Sequence, residues 1–148
     1  MARRVFFSFH YQLDIFRVNQ IRNIPNITGC AAAGFQDASI WEDEKKKGEE
    51  WIKALIRKEL ENTTVTVVCI GSKTAGRMYI DYEIEQSIAR QNGIVALRIN
   101  HLKHIDGSVS AEGAIPSKLS VGGFVPHKYH DAKSLERWIE DAATSARK

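Results

Sequence analysis

The chain has 148 residues, 43% of them hydrophobic, which is enough for one domain with a hydrophobic core and too few for two. Its 21 basic and 18 acidic residues give a net charge of +3, too small an excess to favour a nucleic-acid or membrane surface. The run Lys45-Lys46-Lys47 stands between acidic residues and indicates a solvated charged loop. We therefore expect a single domain over residues 1–148, with neither nucleic acid nor a membrane as a partner.

The cellular compartment is predicted from what the sequence lacks. The apolar run that follows Arg3 and Arg4 ends at Ser8, so it is too short for an export signal, and no stretch is long enough to cross a bilayer. Cys30 and Cys69 lie in apolar segments without metal-type spacing, which predicts reduced, buried thiols. These features favour a cytoplasmic protein.

The first half of the chain alternates between short apolar runs and amphipathic stretches. Apolar runs of four to eight residues predict strands, and apolar residues at spacings of three and four predict helices. The predicted elements are a strand at Val5–Phe9, a loop at His10–Gln12, a helix capped by Asp14 and ending at Arg22, a break at Asn23–Gly29, a weak strand at Ala31–Phe35, a loop at Asp37–Asp43, and a helix from Gly48 to Glu61 with Trp51 on its buried face.

The second half continues the alternation and contains the most apolar strand. Val65–Ile70 is typical of a strand buried on both faces, and the helix after it carries Ile80, Ile84 and Ile88 as a core stripe. The remaining predicted elements are a loop at Gly71–Gly76, a helix from Met78 to Gln91, a strand at Ile94–Ile99, a polar loop region at Asn100–Gly123, an edge strand at Gly122–Val125, and a helix capped by Asp131 or Ser134.

This alternation predicts an α/β fold, a flavodoxin-like doubly wound parallel sheet of about five strands. In such sheets ligands bind beyond the carboxyl ends of the strands, where the strand order reverses. We expect the reversal between the first and third strands, with Ser8–Tyr11 and Gly71–Gly76 facing one another across a cleft.

Several familiar chemistries lack their residues in this sequence. No Gly-x-Gly-x-x-Gly follows the first strand, and Gly71-Ser72-Lys73-Thr74 lacks the upstream glycine of a phosphate-binding P-loop. The acidic residues of a phosphorelay receiver and the Gly-x-Ser-x-Gly elbow of a hydrolase are also missing. Two histidine pairs, His101 with His104 and His127 with His130, lie in loop-like sequence without clustered carboxylates or thiols, so we predict no metal site and no bound cofactor.

Glu83 is the strongest candidate for a catalytic residue. It follows Tyr79 by four positions, so both lie on the same side of the helix after the buried strand, within its first turns. One carboxylate suffices to cleave the N-glycosidic bond of NAD, because nicotinamide leaves as a neutral molecule and positive charge builds on the ribose. The alternative is that Glu83 is an ordinary surface carboxylate of a helix.

Further residues of the same rim are candidates for binding the substrate. Aromatic rings can stack on nicotinamide or adenine, and serine hydroxyls can bond phosphate or ribose. His10 and Asp37 can instead cap or close turns, the serines can satisfy loop backbone, and Trp41 can be a core anchor. The substrate-binding candidates are Ser8, Phe9, His10, Tyr11, Asp37, Ser39 and Tyr79.

Four stretches occur in an order that is specific to one family: Arg4–Tyr11, Phe35–Asp43, Ile70–Thr74 and Tyr82–Ile84. They closely resemble a bacterial TIR-like family whose best-known members belong to the Thoeris anti-phage defence system. The resemblance spans about residues 3–100 and implies a TIR fold and an NAD-consuming activity. On phage infection, defence members of that family convert NAD into a cyclic ADP-ribose isomer or another ADP-ribose conjugate, which activates a separate effector protein.

The resemblance also implies site residues. The glutamate of the family's Tyr-Glu-Ile motif, which is its catalytic residue, falls on Glu83. The family's Phe-His-Tyr loop falls on Phe9, His10 and Tyr11, and its Asp-Ala-Ser segment on residues 37–39, which implies that these positions line the nucleotide pocket.

Three classes of function remain open from the sequence. The chain is a signal-producing enzyme that cleaves NAD, a hydrolase that only depletes NAD, or a non-enzymatic TIR-like adaptor. Glu83 argues against the adaptor, and the first two share their chemistry up to the oxocarbenium stage. Because the pocket has few polar groups, we also expect a poor catalyst until it is triggered or assembled into a homo-oligomer.

Overall fold

A five-stranded parallel sheet forms the centre of the protein. The computed structural model describes residues 3–25, 27–30 and 38–146. Within those ranges the helices and strands are, in chain order, β1 (Arg3–Ser8), α1 (Tyr11–Ile21), β2 (Ile27–Cys30), α2 (Ala38–Lys45), α3 (Glu49–Leu60), β3 (Val65–Ile70), α4 (Met78–Ala89), β4 (Gly93–Arg98), α5 (Ser117–Val121), β5 (His127–Lys128) and α6 (Ala132–Ser145).

The strand order confirms the flavodoxin-like fold. The strands lie in the order β2-β1-β3-β4-β5, and every pair is parallel. After β1 the chain therefore forms the edge strand β2 on one side of β1, and then returns to form β3 on the other side of β1. There Val5 pairs with Val65 and Ser8 with Val68. The ends of β1 and β3 are neighbours, as the alternation of elements predicted, and a crevice opens beyond them.

The core explains why these segments are strands. All six residues of β3 are buried, because helices cover both faces of the sheet and each alternate side chain meets an apolar layer. On one face Ile80 and Ile84 of α4 pack with Val68 and Ile70 of β3. The larger cluster gathers the aromatic residues of β1, the inward side of α3 and the buried stripe of α6.

The predicted start of the first helix was wrong. His10 caps α1, and Tyr11 and Gln12 are its first helical residues rather than a loop. Asp14 lies inside the first turn, 1% exposed and paired with Arg17 at 3.1 Å. Since a histidine ring nitrogen can accept from a backbone amide as an aspartate does, the cap occurs one turn earlier than the pattern of residue types indicated.

The strand and loop predictions for residues 23–43 were also shifted. The second strand is Ile27–Cys30, within the predicted break, and the predicted strand at 31–35 lies outside the described residues. Residues 38–45 form a helix where a loop was predicted. Lysines 45, 46 and 47 each pair with the acidic side chain three positions before them, which stabilises the end of this helix and the following turn.

Two predicted core residues lie at the surface. Trp51 is 45% exposed and Ile88 is 44% exposed, although their neighbours Ile52 and Ile84 are fully buried. The sheet covers only a limited length and width of each helix, so an apolar stripe extends past the core. The edge strand is His127–Lys128 rather than 122–125, and helix α5 lies within the predicted loop region.

Cys69 is a buried free thiol whose pKa burial raises well above its usual value. The side chain of Cys30 is outside the described part of the chain. Among the described helices, none has the length and apolar character needed to span a bilayer.

Candidate active site

A cleft opens where the end of β1, the end of α2 and the start of α4 meet. Its cavity volume is about 160 Å³, smaller than the roughly 300–1,000 Å³ that commonly hold a drug-sized ligand. The cleft is therefore too small to enclose a ligand of that size completely. The lining residues are Phe9, His10, Tyr11, Gln12, Glu42, Lys45, Arg77, Met78, Tyr79, Ile80 and Glu83.

Glu83 lies in this cleft with its carboxyl group buried. Its side chain is 3% exposed, and Ser8 Oγ donates a hydrogen bond to Glu83 Oε1 at 2.5 Å. Burial disfavours the charged form and raises the pKa of Glu83 to about 8, although the Ser8 hydrogen bond acts in the opposite direction. Among the described residues no cation pairs with this carboxylate. Glu83 is therefore not the ordinary surface carboxylate of the alternative interpretation, because α4 turns this position toward β1.

The backbone around Glu83 is held by a chain of buried hydroxyls. Ser87 Oγ donates to the Glu83 carbonyl oxygen at 2.7 Å and lies 2.7 Å from Thr66 Oγ1 of β3. These contacts join the middle of α4 to the central strand. The carboxylate is consequently positioned by rigid elements rather than by a loop.

His10 lines the cleft, and one of its ring nitrogens is a buried hydrogen-bond donor. Its Nδ1 accepts from the backbone N–H of Leu13 at 3.3 Å, so in the neutral ring the proton is on Nε2. The residue is 7% exposed, and its Nε2 is buried with no hydrogen-bond partner among the described residues. Burial and, after it, the positive charge of Arg77 lower the pKa of His10, which favours this neutral form.

Three aromatic candidates line the cleft together. Phe9 and Tyr11 are 3% and 4% exposed, with ring centroids 4.3 Å apart and planes tilted by 37°. Tyr79 is half-buried at the start of α4, and burial raises the pKa of its hydroxyl. Phe9 and Tyr11 also belong to the hydrophobic core, so they fix the wall of the cleft as well as lining it.

Three charged residues of the lining were not identified from the sequence: Glu42, Lys45 and Arg77. Lys45 and Glu42 are paired at 3.5 Å on α2, while Arg77 is the N-cap of α4. The signal for Arg77 was its place between a loop and the helix that carries Glu83. Lys45 was hidden in a charged run that is mostly solvated.

Some predicted site residues lie elsewhere. The Gly71–Gly76 loop does not line the cleft, which is bounded on that side by residues 77–80. Gly71 instead lies against the Asp14 carboxylate, where a side-chain carbon would collide. Asp37 lies outside the described residues, as do the side chains of Ser39 and Trp41, although residues 39 and 41 belong to α2.

The long segment after β4 is attached to the first helix rather than to the cleft. Arg17 donates from Nε to the Leu102 carbonyl oxygen at 2.8 Å and from Nη2 to Ser110 Oγ at 2.9 Å. Arg98 Nη1 donates to the carbonyl oxygen of Gly113 at 3.0 Å. The segment therefore packs beside α1 in a defined conformation.

The paired histidines have separate contacts. His101 Nε2 lies 2.6 Å from the Tyr129 carbonyl oxygen, and His127 stacks on Trp138 with a centroid distance of 4.1 Å. His130 lies 3.2 Å from an oxygen of Asp131. Over residues 3–25, 27–30 and 38–146, no three metal-binding side chains come together.

Comparison with known proteins identifies the family. The family model for the TIR-like domain of the Thoeris protein ThsB matches residues 6–104. A protein of Bacillus cereus (strain MSX-D12) named "Putative cyclic ADP-D-ribose synthase ThsB1" is 47% identical over 119 residues, which cover 78% of this chain. The match spans 62% of that relative's length. The chain belongs to the family of Thoeris ThsB TIR-like domains.

Proposed function

We propose that this protein cleaves NAD, releases nicotinamide and converts the ADP-ribose portion into a cyclic isomer or a related conjugate that signals in anti-phage defence. The observation that carries the proposal is the buried carboxyl group of Glu83. It lies in the cleft beyond the carboxyl end of β1, and among the described residues it has no cationic partner. Family membership and the name of the Bacillus relative support the same chemistry.

The reaction needs a negative charge more than it needs a proton. When the bond between ribose C1′ and the pyridinium nitrogen breaks, both electrons go to the nitrogen, and nicotinamide leaves neutral. The ribose is left as an oxocarbenium-like cation. A carboxylate fixed beside that carbon in a poorly hydrated cleft stabilises the developing charge, and its effect is largest in the transition state.

The raised pKa suits a cationic substrate. Near neutral pH the free cleft holds Glu83 mostly as the neutral acid, because the buried carboxylate lacks compensation. A bound pyridinium cation supplies that compensation and favours loss of the proton to solvent. The charge pair then forms only when the substrate is present.

The fate of the ribose cation decides the product. Capture by a nucleophile of the same ADP-ribose molecule closes a ring, capture by another acceptor makes a conjugate, and capture by water only depletes NAD. We propose the signalling outcome, with a separate effector protein as the recipient of the diffusible nucleotide. A homo-oligomer that covers the mouth of the cleft would exclude the competing water.

The test combines product analysis with one pair of variants. The purified protein, concentrated and supplied with lysate from phage-infected cells as a source of trigger, is incubated with NAD, and products are identified by mass spectrometry. We expect nicotinamide and a cyclic or conjugated ADP-ribose product. Glu83→Gln keeps the size and the hydrogen bond from Ser8 but removes the charge, so turnover should fall about a hundredfold or more, with NAD affinity much less affected.

Glu85→Gln is the matched control. Glu85 lies on the same helix but is exposed and paired with Lys118 Nζ at 2.6 Å, away from the cleft. Its neutralisation should leave turnover nearly unchanged. Linear ADP-ribose as the sole product would favour the NAD hydrolase, and turnover retained by Glu83→Gln would remove the catalytic assignment. Absence of any product in triggered, concentrated protein would favour the adaptor.

A further inference from the structure

The mouth of the cleft carries two cations that the chemistry at Glu83 does not use. Arg77 is exposed and its Nε donates to the carbonyl oxygen of Lys73 at 3.4 Å; among the described residues its guanidinium pairs with no carboxylate. Lys45 faces the same cleft and is paired with Glu42 at 3.5 Å, a long and half-exposed contact. Both side chains can therefore turn toward an anionic ligand.

The amino end of α4 opens into the same place. This helix has 12 residues, its N-cap Arg77 makes no side-chain capping hydrogen bond, and its first turn lines the cleft. The positive end of the helix dipole favours an anion here, although Asp81 in the first turn weakens the field. A helix terminus alone does not define a binding site.

The second observation is the buried donor of His10. His10 lines the other wall of the cleft, and its Nε2–H is buried, with no hydrogen-bond partner among the described residues. A buried unpaired donor costs free energy unless a ligand or water satisfies it. Because Nδ1 is occupied by the helix cap, Nε2 remains a donor and selects an acceptor-rich ligand group.

These groups converge on one class of ligand. We propose that Arg77, Lys45 and the Nε2–H of His10 form a subsite for a diphosphate ester beside Glu83. A diphosphate offers several acceptor oxygens and two negative charges, and an arginine can bind its oxygens in a bidentate manner. The subsite rests on the proposed function, because in NAD the diphosphate is attached to the 5′ oxygen of the ribose whose C1′ reacts.

The subsite also gives a reason for the small cavity. The cleft holds the nicotinamide ribose, and the diphosphate lies across its mouth on Arg77 and Lys45. The adenosine end is then left outside the described cleft, near enough to be covered by another molecule or to fold back on the ribose. Binding energy from the diphosphate positions the reacting carbon over Glu83.

The experiment measures equilibrium binding and does not depend on turnover. ADP, inorganic pyrophosphate and adenosine are titrated into the full chain by calorimetry at low salt. The variants Arg77→Gln and Lys45→Gln are compared with Arg90→Gln, at the opposite end of α4, and Lys46→Gln, in the turn after α2 and 80% exposed in its side chain. His10→Asn retains a side-chain oxygen that can cap α1 and removes the Nε2 donor.

We expect Arg77→Gln to weaken ADP and pyrophosphate binding about tenfold, His10→Asn and Lys45→Gln to weaken it about three- to fivefold, and the two controls to leave it unchanged. Adenosine binding should be unaffected in all of them. Melting temperatures of the variants are measured alongside. If Arg77→Gln loses its fold, it is replaced by Arg77→Lys, which keeps the charge but loses bidentate geometry.

The outcomes separate this subsite from the proposed activity. Cleavage of NAD with ADP affinity that is equal in Arg77→Gln and Arg90→Gln would overturn the subsite and leave the activity standing. Diphosphate binding that depends on Arg77 and His10 in a protein that never cleaves NAD would support the subsite and count against the activity. Loss of adenosine binding in Arg77→Gln would also overturn the assignment.

Discussion

Two buried carboxylates lie near the ends of β1 and β3, and they have opposite surroundings. Asp14 is 1% exposed and forms an ion pair with the equally buried Arg17 at 3.1 Å. Glu83 is 3% exposed, and its carboxylate accepts a hydrogen bond from the neutral hydroxyl of Ser8. Burial raises the pKa of both groups, but at Asp14 the charge and hydrogen bond of Arg17 oppose the shift.

The difference separates a structural carboxylate from one that is available for chemistry. Asp14 has its counter-charge in the folded protein and can gain little from a cationic ligand. Glu83 is left without one among the described residues, which makes its ionisation depend on what enters the cleft. Uncompensated burial at a cleft is a feature of functional sites more often than of structural ones.

The largest expected effect is the pH dependence of stability at Glu83. The pKa rises from 4.5 in an open chain to about 8 in the folded protein, so between these values the folded state holds the proton that the unfolded state has lost. The parent's free energy of unfolding should therefore fall as pH rises from 4.5 to 8, by on the order of 5 kcal/mol for the full shift. Glu83→Gln does not titrate and should gain that amount relative to the parent.

Urea denaturation at pH 5, 7 and 9 measures this difference. Any titration of Asp14 is common to both proteins and cancels. Glu85→Gln, which changes an exposed carboxylate, should run parallel to the parent. A constant difference between Glu83→Gln and the parent across this range would show that Glu83 is not desolvated in solution.

The next effect concerns the partnered carboxylate. Arg17→Met leaves the Asp14 charge buried and removes the bonds to Leu102 and Ser110, so unfolding free energy should fall by about 3–5 kcal/mol at pH 7. Arg90→Met at the exposed end of α4 should change it by about 0.5 kcal/mol or less. If both substitutions cost the same, the contrast between the two carboxylates has no energetic basis.

The comparison also predicts a pH profile for NAD cleavage. If the ionised form of Glu83 is the active one, kcat/KM should rise about tenfold for each pH unit below 8 and level off above it. Steady-state rates from pH 6 to 9.5, with protein stability checked at each value, give the profile. A profile that is flat from pH 6 to 8 would mean that Glu83 is already ionised in the free enzyme.

The smallest effect tests the single hydrogen bond to Glu83. Ser8→Ala removes a donor that stabilises the carboxylate, so the midpoint of the rate profile should move upward by about one pH unit. Ser87→Ala is the control, because that buried hydroxyl bonds the Glu83 carbonyl oxygen and not its carboxylate. Ser87→Ala should reduce stability without moving the midpoint, and an equal movement in both would contradict the role of Ser8.

The strands were predictable where the chain meets the same apolar environment on both sides. Val65–Ile70 needs no tertiary information, because every side chain is buried. Helix ends and edges were harder, since they depend on where the sheet stops covering a helix: Ile88 continues the pattern of Ile80 and Ile84, yet it lies past the core. The cap by His10 was not predicted because histidine is an uncommon N-cap residue.

The location of the site was predictable from the sequence, but the burial and hydrogen bonding of its side chains were less so. The position of Glu83 after β3 followed from the alternation of elements and the resemblance of its motif. Its burial did not, because it depends on β1 being the neighbour of β3, which brings Ser8 to the carboxylate across 75 positions of sequence. The same holds for Lys45, which reaches the cleft from a helix that the sequence suggested was a loop.

The attachment of the segment after β4 to Arg17 makes its tip a convenient place for a reporter. His104 N–H donates to the Ser108 carbonyl oxygen at 2.7 Å and closes a short turn, outside which Ile105 is 73% exposed. The anchored base on Leu102 and Ser110 isolates this turn from the cleft. A cysteine placed in this turn for a fluorophore, or a short peptide inserted after Asp106, should leave the cleft undisturbed. Ligand binding and self-assembly could then be followed by fluorescence.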